Sequence, residues 1–517
     1  MATVGKNILD NLTTGMYSDS KVIYREYIQN ACDQIDKAIE SGLIDSGEGC
    51  IDITINQRKR NVSIFDNATG VPKSEFIQNL GDIANSNKEM GEDKGFRGIG
   101  RLCGLAYCET LKFITTAKGE KTASIMICDA KKMRAMLIDK RKYSLDDIWD
   151  AIVTFDEREA NIEEHFFEVQ LININSENTD LLNEKLVRDY LSFVAPVPYK
   201  NTFILRNQIY EHANAIGYCI DEYCVRVDGK QIFKEYTTKL KEQNGSSIKT
   251  YDEITQLAFK DFYNYDGDLI AWMWIGLSRF EKSIPVVNQM RGLRLRTANI
   301  QLGNENVLSP LFKEPRGNHY FVGEVFSVSP NLIPNSQRDY FNENQNRVDF
   351  ESLLRTYFYD TLHKLYHDAN KIKNLYKRQE EYIKNVEEYN EKEESNSFVD
   401  EEARQKLQFK VEESKKSAED ARSKLEKIEA SEDESPLTEV RKNISQKFKS
   451  EKLKKKAEKA KISEKTKGKK KKYVTSDMSK LTRNERKIVG KILTIITDCA
   501  PKEIAEEIIA KIKEEMR

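Results

Sequence analysis

Tyr24-Arg-Glu-Tyr-Ile-Gln-Asn-Ala-Cys-Asp-Gln-Ile-Asp-Lys-Ala38 decides how this chain is read. Tyr24, Tyr27, Ile28, Ala31, Ile35 and Ala38 recur at helical spacing, which predicts an amphipathic helix with one buried face. Glu26, Asn30 and Asp33 stand at i, i+4 and i+7 on that helix, within an arc of about 60°. A carboxylate that can take a proton from water then lies one turn from an amide oxygen suited to a hard cation. The same three residues also describe the solvated polar face of an ordinary surface helix, so the surrounding chain has to decide.

The chain has 517 residues, room for about two to four domains with sizeable cores. Charged residues make up 32% while the net charge is only −1, so the two signs are separated along the chain. The longest apolar run, Leu269-Ile-Ala-Trp-Met-Trp-Ile-Gly-Leu277, is too short to cross a bilayer as a helix. Eight cysteines without C-x-x-C spacing and five unclustered histidines argue against a disulfide scaffold or a structural zinc site. The first residues lack the charged-then-apolar pattern of a signal peptide, and the expectation is a soluble cytoplasmic protein with no membrane association.

Downstream of the helix, Ile51-Asp-Ile-Thr-Ile55 and Asn61-Val-Ser-Ile-Phe65 alternate as half-buried strands, with Arg58-Lys-Arg60 as their turn. The second strand runs into Asp66-Asn-Ala-Thr-Gly70, where a carboxylate at a strand end can accept from a planar amine and the glycine permits unusual backbone angles. Upstream, Ser18-Asp-Ser20 offers capping chemistry for the helix. After Asn79-Leu-Gly-Asp-Ile-Ala-Asn-Ser86 comes a polar loop, closed by Gly95-Phe-Arg97-Gly98-Ile99-Gly100-Arg101, which opens an apolar helix from Leu102 to Tyr107. A glycine-rich loop feeding a helix presents free N–H groups to phosphate oxygens, and Arg97 and Arg101 add charge.

Glu…Asn…Asp on a helix, a strand ending in Asp…Gly, then a polar lid and Gly-x-x-Gly-x-Gly is an order that resembles the GHKL ATPases. That group holds gyrase B, the ninety-kilodalton heat-shock chaperones, the MutL proteins and the MORC proteins. The likeness is nearest to the heat-shock chaperones from Asn7 to about Ala106. Tyr17-Ser-Asp-Ser-Lys21 followed by Arg25-Glu26 is similar to the start of their helix, and Asn79 to Ser86 to their lid approach.

The resemblance implies an α+β fold with a Bergerat-type domain over residues 1–195, ATP as substrate and Mg²⁺ as cofactor. It implies Glu26 as general base, Asn30 as the Mg²⁺ ligand and Asp33 in the polar shell around metal and phosphate. Asp66 would accept from the adenine amine, Gly70 would let the base approach, and Asn79 would line the pocket. Gly95, Arg97, Gly98, Ile99 and Gly100 would carry the lid onto the phosphates. The chain departs from the chaperone pattern at Asn85, where a lysine is usual and Lys88 is the available substitute. It departs again at His165-Phe-Phe-Glu-Val-Gln-Leu171, which lacks the usual Gly-Thr pair, so one adenine contact is replaced or lost. No histidine precedes His165, which favours hydrolysis over the self-phosphorylation of the histidine kinases in this group.

Ala195-Pro-Val-Pro-Tyr199 marks the start of a second domain, residues 196–350. Tyr223–Val227, Leu269–Leu277, Leu293–Thr297 and Phe321–Val328 read as its strands and Ile254 to Tyr263 as a helix, matching a β-α-β transducer. Pro334-Asn-Ser-Gln-Arg338-Asp339 resembles the chaperone segment whose arginine reaches the γ-phosphate, with the serine displaced by one. Arg338 is the first choice for that role. Arg294, Arg296 and Lys313 remain open because MutL-like relatives use a lysine elsewhere, and a local pair between Arg338 and Asp339 is the plain alternative.

Residues 351–435 carry two 3.5-residue patterns around Ser395-Asn-Ser397, which predicts an antiparallel coiled-coil hairpin. Residues 436–476 are a basic linker: Arg441 to Lys472 holds 16 Lys or Arg against 3 Glu, and reads as a disordered or marginally helical arm. Residues 477–517 regain periodicity as two short helices around Pro501.

The expected activity is ATP hydrolysis that opens and closes a homodimer. The basic arm points to a clamp on nucleic acid through 441–472, as in MORC or MutL proteins. The alternatives are chaperone-like remodelling of protein clients, engaged through the coiled coil, and a nucleotide-gated scaffold with slow hydrolysis. The absence of the long chaperone middle and C-terminal domains counts against a full chaperone.

Overall fold

The computed structural model describes residues 19–81, 100–141, 143–394, 398–429, 436–450 and 481–515. It divides into two compact units: residues 1–277 with 282–363, and residues 278–281 with 364–517. The fold is α+β, with an eight-stranded sheet, a five-stranded sheet and a separate two-stranded hairpin in the first unit and helices in the second.

Helix α1 is Val22–Glu40, as its periodicity requires. Ile23, Tyr24, Ile28 and Ile35 are buried against the strands, each worth about 1.5–3 kcal/mol of apolar burial. The capping expectation is corrected: the N-cap is Lys21 and has no side-chain cap. Asp19 Oδ1 accepts from the Lys21 N–H at 3.0 Å, and the Ser20 hydroxyl is drawn away to Asp180.

The sheet beneath α1 has eight strands. They are β1 (Cys50–Asn56), β2 (Asn61–Asp66), β3 (Cys108–Thr116), β4 (Thr122–Asp129), β5 (Val153–Glu159), β6 (Phe166–Ile174), β7 (Cys224–Val227) and β8 (Lys230–Gln231). Their order is β5-β4-β3-β6-β2-β1-β7-β8, antiparallel except for β1 and β7. The strand expected at Tyr223–Val227 therefore forms, but it extends this first sheet and not the second. Helices α2 (Ala130–Ile138), α3 (Leu145–Ile152) and α4 (Glu184–Val194) contribute Met133, Ile148 and Leu191 to the same core.

A second sheet follows helix α5 (Arg206–Ala215) and the hairpin β9 (Lys239–Asn244) and β10 (Ser247–Glu253). Its strands are β11 (Gln256–Tyr263), β12 (Leu269–Leu277), β13 (Gly292–Thr297), β14 (Ile300–Leu302) and β15 (Val322–Ser327), ordered β11-β12-β15-β13-β14. The helix expected from Ile254 to Tyr263 is instead β11, an edge strand whose backbone pairs with the fully apolar β12. Its short apolar spacing fits either period, and the available partner strand decides. Helix α6 (Gln345–Tyr357) closes this unit.

In the second unit α7 (His363–Glu394) and α8 (Glu401–Glu429) run antiparallel, with Arg378 3.5 Å from Asp420 and Arg404 2.6 Å from Glu393. Within the stretch read as a basic linker, residues 436–450 form a third helix, α9. Val440 and Ile444 are fully buried, and Phe448 stacks on Tyr376 at 4.8 Å. These residues are spaced i, i+4, i+8, an apolar stripe that the surrounding lysines conceal. Residues 451–472 of the basic run lie outside the described residues. Helices α10 (Arg483–Cys499) and α11 (Lys502–Glu515) flank Pro501 and share a small core of Val489, Leu493 and Ile509. Among the described residues no helix is long and apolar enough to cross a membrane.

Candidate functional site

The site begins with the outward face of α1. Glu26 is 7% exposed and Asp33 is 4% exposed, while Asn30 between them is half-buried. Two acidic side chains buried on one helix face are costly unless something compensates them. For Glu26 the compensation is visible. Arg25, itself buried, donates from Nη2 to Glu26 Oε1 at 3.2 Å and to the Gln337 carbonyl at 3.0 Å. Its Nη1 reaches the Arg338 carbonyl at 3.4 Å. Arg338 Nε stands 4.0 Å from Glu26 Oε2. One guanidinium thus ties the carboxylate to the loop that carries the second.

Asp339 is engaged by Asn335, whose Oδ1 accepts from the Asp339 N–H at 3.3 Å. Of the other cations considered, Arg296 is fully buried against Glu324 and Lys313 is exposed. Arg294 is buried, with its Nη1 bonded to Gln301.

The segment after the polar loop is a 3₁₀ helix, Gly100–Ala106, and not the α-helix expected there. The Tyr27 hydroxyl pins it to α1, donating to the Arg101 carbonyl at 3.0 Å and accepting from the Gly104 N–H at 3.1 Å. Gly100 is thereby pressed against the carboxylate: a Cβ there would lie 2.8 Å from Glu26 Oε2.

The other end of the site follows from strand parity. Val62, Ile64 and Asp66 share one face of β2, so the carboxylate continues a buried apolar row and is only 4% exposed. Burial pushes its pKa up to about 7, although the Ala68 and Phe167 N–H groups act to lower it. The loop beyond is held by the Ala68 N–H to Asp66 Oδ1 at 3.2 Å, His165 Nδ1 to the Ala68 carbonyl at 2.7 Å, and the Val71 N–H to Thr115 Oγ1 at 2.9 Å. Gly70 has φ +64°, and a Cβ would meet the Thr116 carbonyl oxygen at 1.9 Å.

The fold thus gathers Glu26, Gly100 and Arg338 at one place, and carries Asn30 and Asp33 on the same helix face. Asn79 sits on a π-turn, Ile77–Gly81, with its amide donating to Glu75 at 3.3 Å, so its described contacts tie it to neither Glu26 nor Asp66. Lys88, Gly95, Arg97, Gly98 and Ile99 lie outside the described residues. The roles of two participants escape sequence reading. Arg25 enters the sequence reading only as part of the Arg25-Glu26 pair in the helix-start resemblance, with no role of its own. Thr115 supplies a buried hydroxyl from β3, accepting from Val71 and donating to the Phe166 carbonyl at 2.7 Å. It stands opposite Phe167, within the segment that lacks the usual Gly-Thr pair.

Among the described residues no three metal-ligating side chains converge. On this face the Asn30 side chain could offer an amide oxygen to a hard cation.

A family model described as histidine kinase-, DNA gyrase B- and HSP90-like ATPase matches residues 17–152. The chaperone protein HtpG of Bacillus licheniformis is 31% identical over 134 residues, which cover 23% of this chain and 21% of the relative. HtpG of Wigglesworthia glossinidia brevipalpis is 36% identical over 87 residues, 16% of this chain and 14% of the relative. HtpG of Shigella dysenteriae serotype 1 aligns over 278 residues at 23% identity, 50% of this chain and 38% of the relative. In each case the chain spans well under half of the relative's length.

Proposed function

Taking residues 17–152 as a GHKL-type ATPase domain of HtpG-like sequence, we propose that the chain hydrolyses ATP and uses the cycle to remodel protein clients. The observation that carries hydrolysis is the approach of Arg338 to Glu26, 4.0 Å apart, from two segments distant in sequence. Glu26 acts as general base on the attacking water. Arg338, delivered by the second, transducer-like sheet, meets the charge that spreads onto the γ-phosphate oxygens. Asp66 accepts from the adenine amine, and Gly70 keeps the loop close enough for the base to stack. Asn30 would hold Mg²⁺, which when bound neutralises phosphate charge, and Asp33 orders the water around it. Arg25 positions both partners by bonding to Glu26 and to the backbone beside Arg338. ATP closes two copies of the chain into a dimer.

Protein clients are preferred to nucleic acid for two reasons. The HtpG relatives are chaperones by name, and their alignment with this chain extends to half of it in one case. The basic run that favoured a nucleic-acid clamp begins as a packed helix, with Val440 and Ile444 buried. The test is phosphate release by the full chain with Mg²⁺ and ATP, alone, with an unfolded protein, and with duplex DNA. Unfolded protein should raise the rate and DNA should not. Glu26→Ala should retain ADP binding and lose turnover. Normal hydrolysis by that variant would remove Glu26 from the role, and stimulation by DNA alone would restore the clamp.

A further inference from the structure

A cavity of about 700 Å³ opens beside the start of α1, between α4 and the β13–β14 end of the second sheet. That is within the range of small-molecule sites, roughly 300–1,000 Å³. Its lining includes none of Glu26, Asn30, Asp33, Asp66, Gly70, Asn79 or Gly100. Arg294 forms part of its wall and is 5% exposed. The guanidinium lies over the Phe193 ring at 4.3 Å, with Nη1 donating to Gln301 Oε1 at 2.8 Å and Nη2 to the Gln289 carbonyl. Every one of these partners is neutral. Its Nε is buried without an acceptor among the described residues. Burial disfavours its charge, the cost expected of a buried cation lacking a counter-ion.

The carboxylates around the cavity are largely spoken for. Asp19 pairs with Lys21 at 2.9 Å, Asp189 with Lys185 at 3.1 Å and Gln289 at 3.0 Å, and Asp339 with the Asn335 amide. Glu305 attracts Arg294 from beyond ion-pair distance. Half-buried Arg291 adds a further cation, as do Lys21, paired with Asp19, and Arg25, bonded to Glu26. The apolar and aromatic part of the wall is Val22, Leu186, Tyr190, Phe193, Val194 and the largely exposed Val286, beside polar groups such as Asn288 and Asn304.

We propose that this cavity binds a small organic anion with a flat apolar body, its charged group on Arg294 and Arg291 and its body against Tyr190 and Phe193. A carboxylate or phosphate would give the buried charge of Arg294 a counter-ion. Gln337 and Asp339 also line the cavity and flank Arg338, so an occupant would touch the loop that reaches Glu26. Any effect on turnover rests on the function proposed above; the binding itself does not.

The test is calorimetric titration of phenyl phosphate and of benzoate into the full chain saturated with ADP. We expect saturable binding of at least one probe, weakened tenfold or more by Arg294→Gln and several-fold by Arg291→Ala. Should Arg294→Gln fail to fold, Val286→Trp, a bulky substitution at an exposed lining position, must weaken binding with the fold intact. No saturable binding, or affinity indifferent to these substitutions, would each overturn the site. None of those results depends on whether ATP is hydrolysed.

Discussion

Arg338 Nε stands 4.0 Å from Glu26 Oε2, and the backbone that brings it there is held in the left-handed region at φ +52°. The Arg338 carbonyl accepts from the Gly303 N–H at 2.9 Å and its N–H donates to the Asn335 carbonyl at 3.1 Å, which fix the loop around it. With the γ-phosphate role proposed for it, Arg338→Ala should lower kcat by about 10²–10³-fold. ADP affinity should change by less than about threefold, since the contact forms with the transferring group. Equal losses of ADP and ATP binding would make the residue structural.

Asp66 gives the site a pH dependence with a definite sign. Its folded pKa of about 7 exceeds the ordinary 3.8, so between those values the folded chain holds a proton that the unfolded chain lacks. Stability is therefore lost as pH rises through that window. An amine that donates to the carboxylate favours its ionised form, so nucleotide binding near pH 6 should release up to one proton, and little above pH 8. Calorimetry of ADP binding in two buffers of different ionisation enthalpy measures this. Asp66→Asn should abolish the difference and weaken binding by about 1–3 kcal/mol. Identical proton release in the variant would clear Asp66 of contact with the base.

Gly70 tests the loop itself. A methyl group would meet backbone oxygen at 1.9 Å and would also have to occupy φ +64°. Neither the Thr116 carbonyl nor the β3–β6 pairing can retreat without breaking the sheet. Gly70→Ala should cost about 2–4 kcal/mol in urea denaturation and weaken ADP binding more than tenfold. Gly119→Ala, at a positive φ of 97° in open space, is the control and should cost only the backbone strain.

A fourth outcome concerns the second sheet. Glu324 is fully buried, bonded to Arg296 and to the Tyr199 hydroxyl, and 3.3 Å from Lys234 Nζ. Burial alone would raise its pKa, but Arg296 and Lys234 hold it down to about 2. The stabilisation is complete above about 4.5 and is lost as pH falls toward 2. Glu324→Leu strands two buried cations and should cost about 3–5 kcal/mol in chemical denaturation. Arg296 also donates to the Phe193 carbonyl at 2.7 Å, so the variant should loosen the β13 end of the second sheet from α4. Greater protease sensitivity near residues 193–199 would register that, and unchanged stability would contradict the account.

What the sequence determined by itself was local. Helical spacing puts Glu26, Asn30 and Asp33 on one face of α1, and strand alternation carries Asp66 onto the buried face of β2. Both follow because a side chain's direction repeats with the backbone period, whatever the chain does elsewhere. Tertiary structure decided what those faces meet. No periodicity announces that Arg25 is buried between Glu26 and the Gln337 carbonyl, or that Thr115 supports the Gly70 loop from another strand. Strand β7 reads as part of the second domain, yet it pairs with β1, because an unpaired edge takes whichever strand the fold delivers. The segment Gln256–Tyr263 becomes a strand because β12 offers a ladder of backbone partners. The start of the basic run becomes a packed helix because Val440, Ile444 and Phe448 find apolar neighbours. In each case the energy comes from burial and pairing between segments far apart in the chain, which no local pattern records.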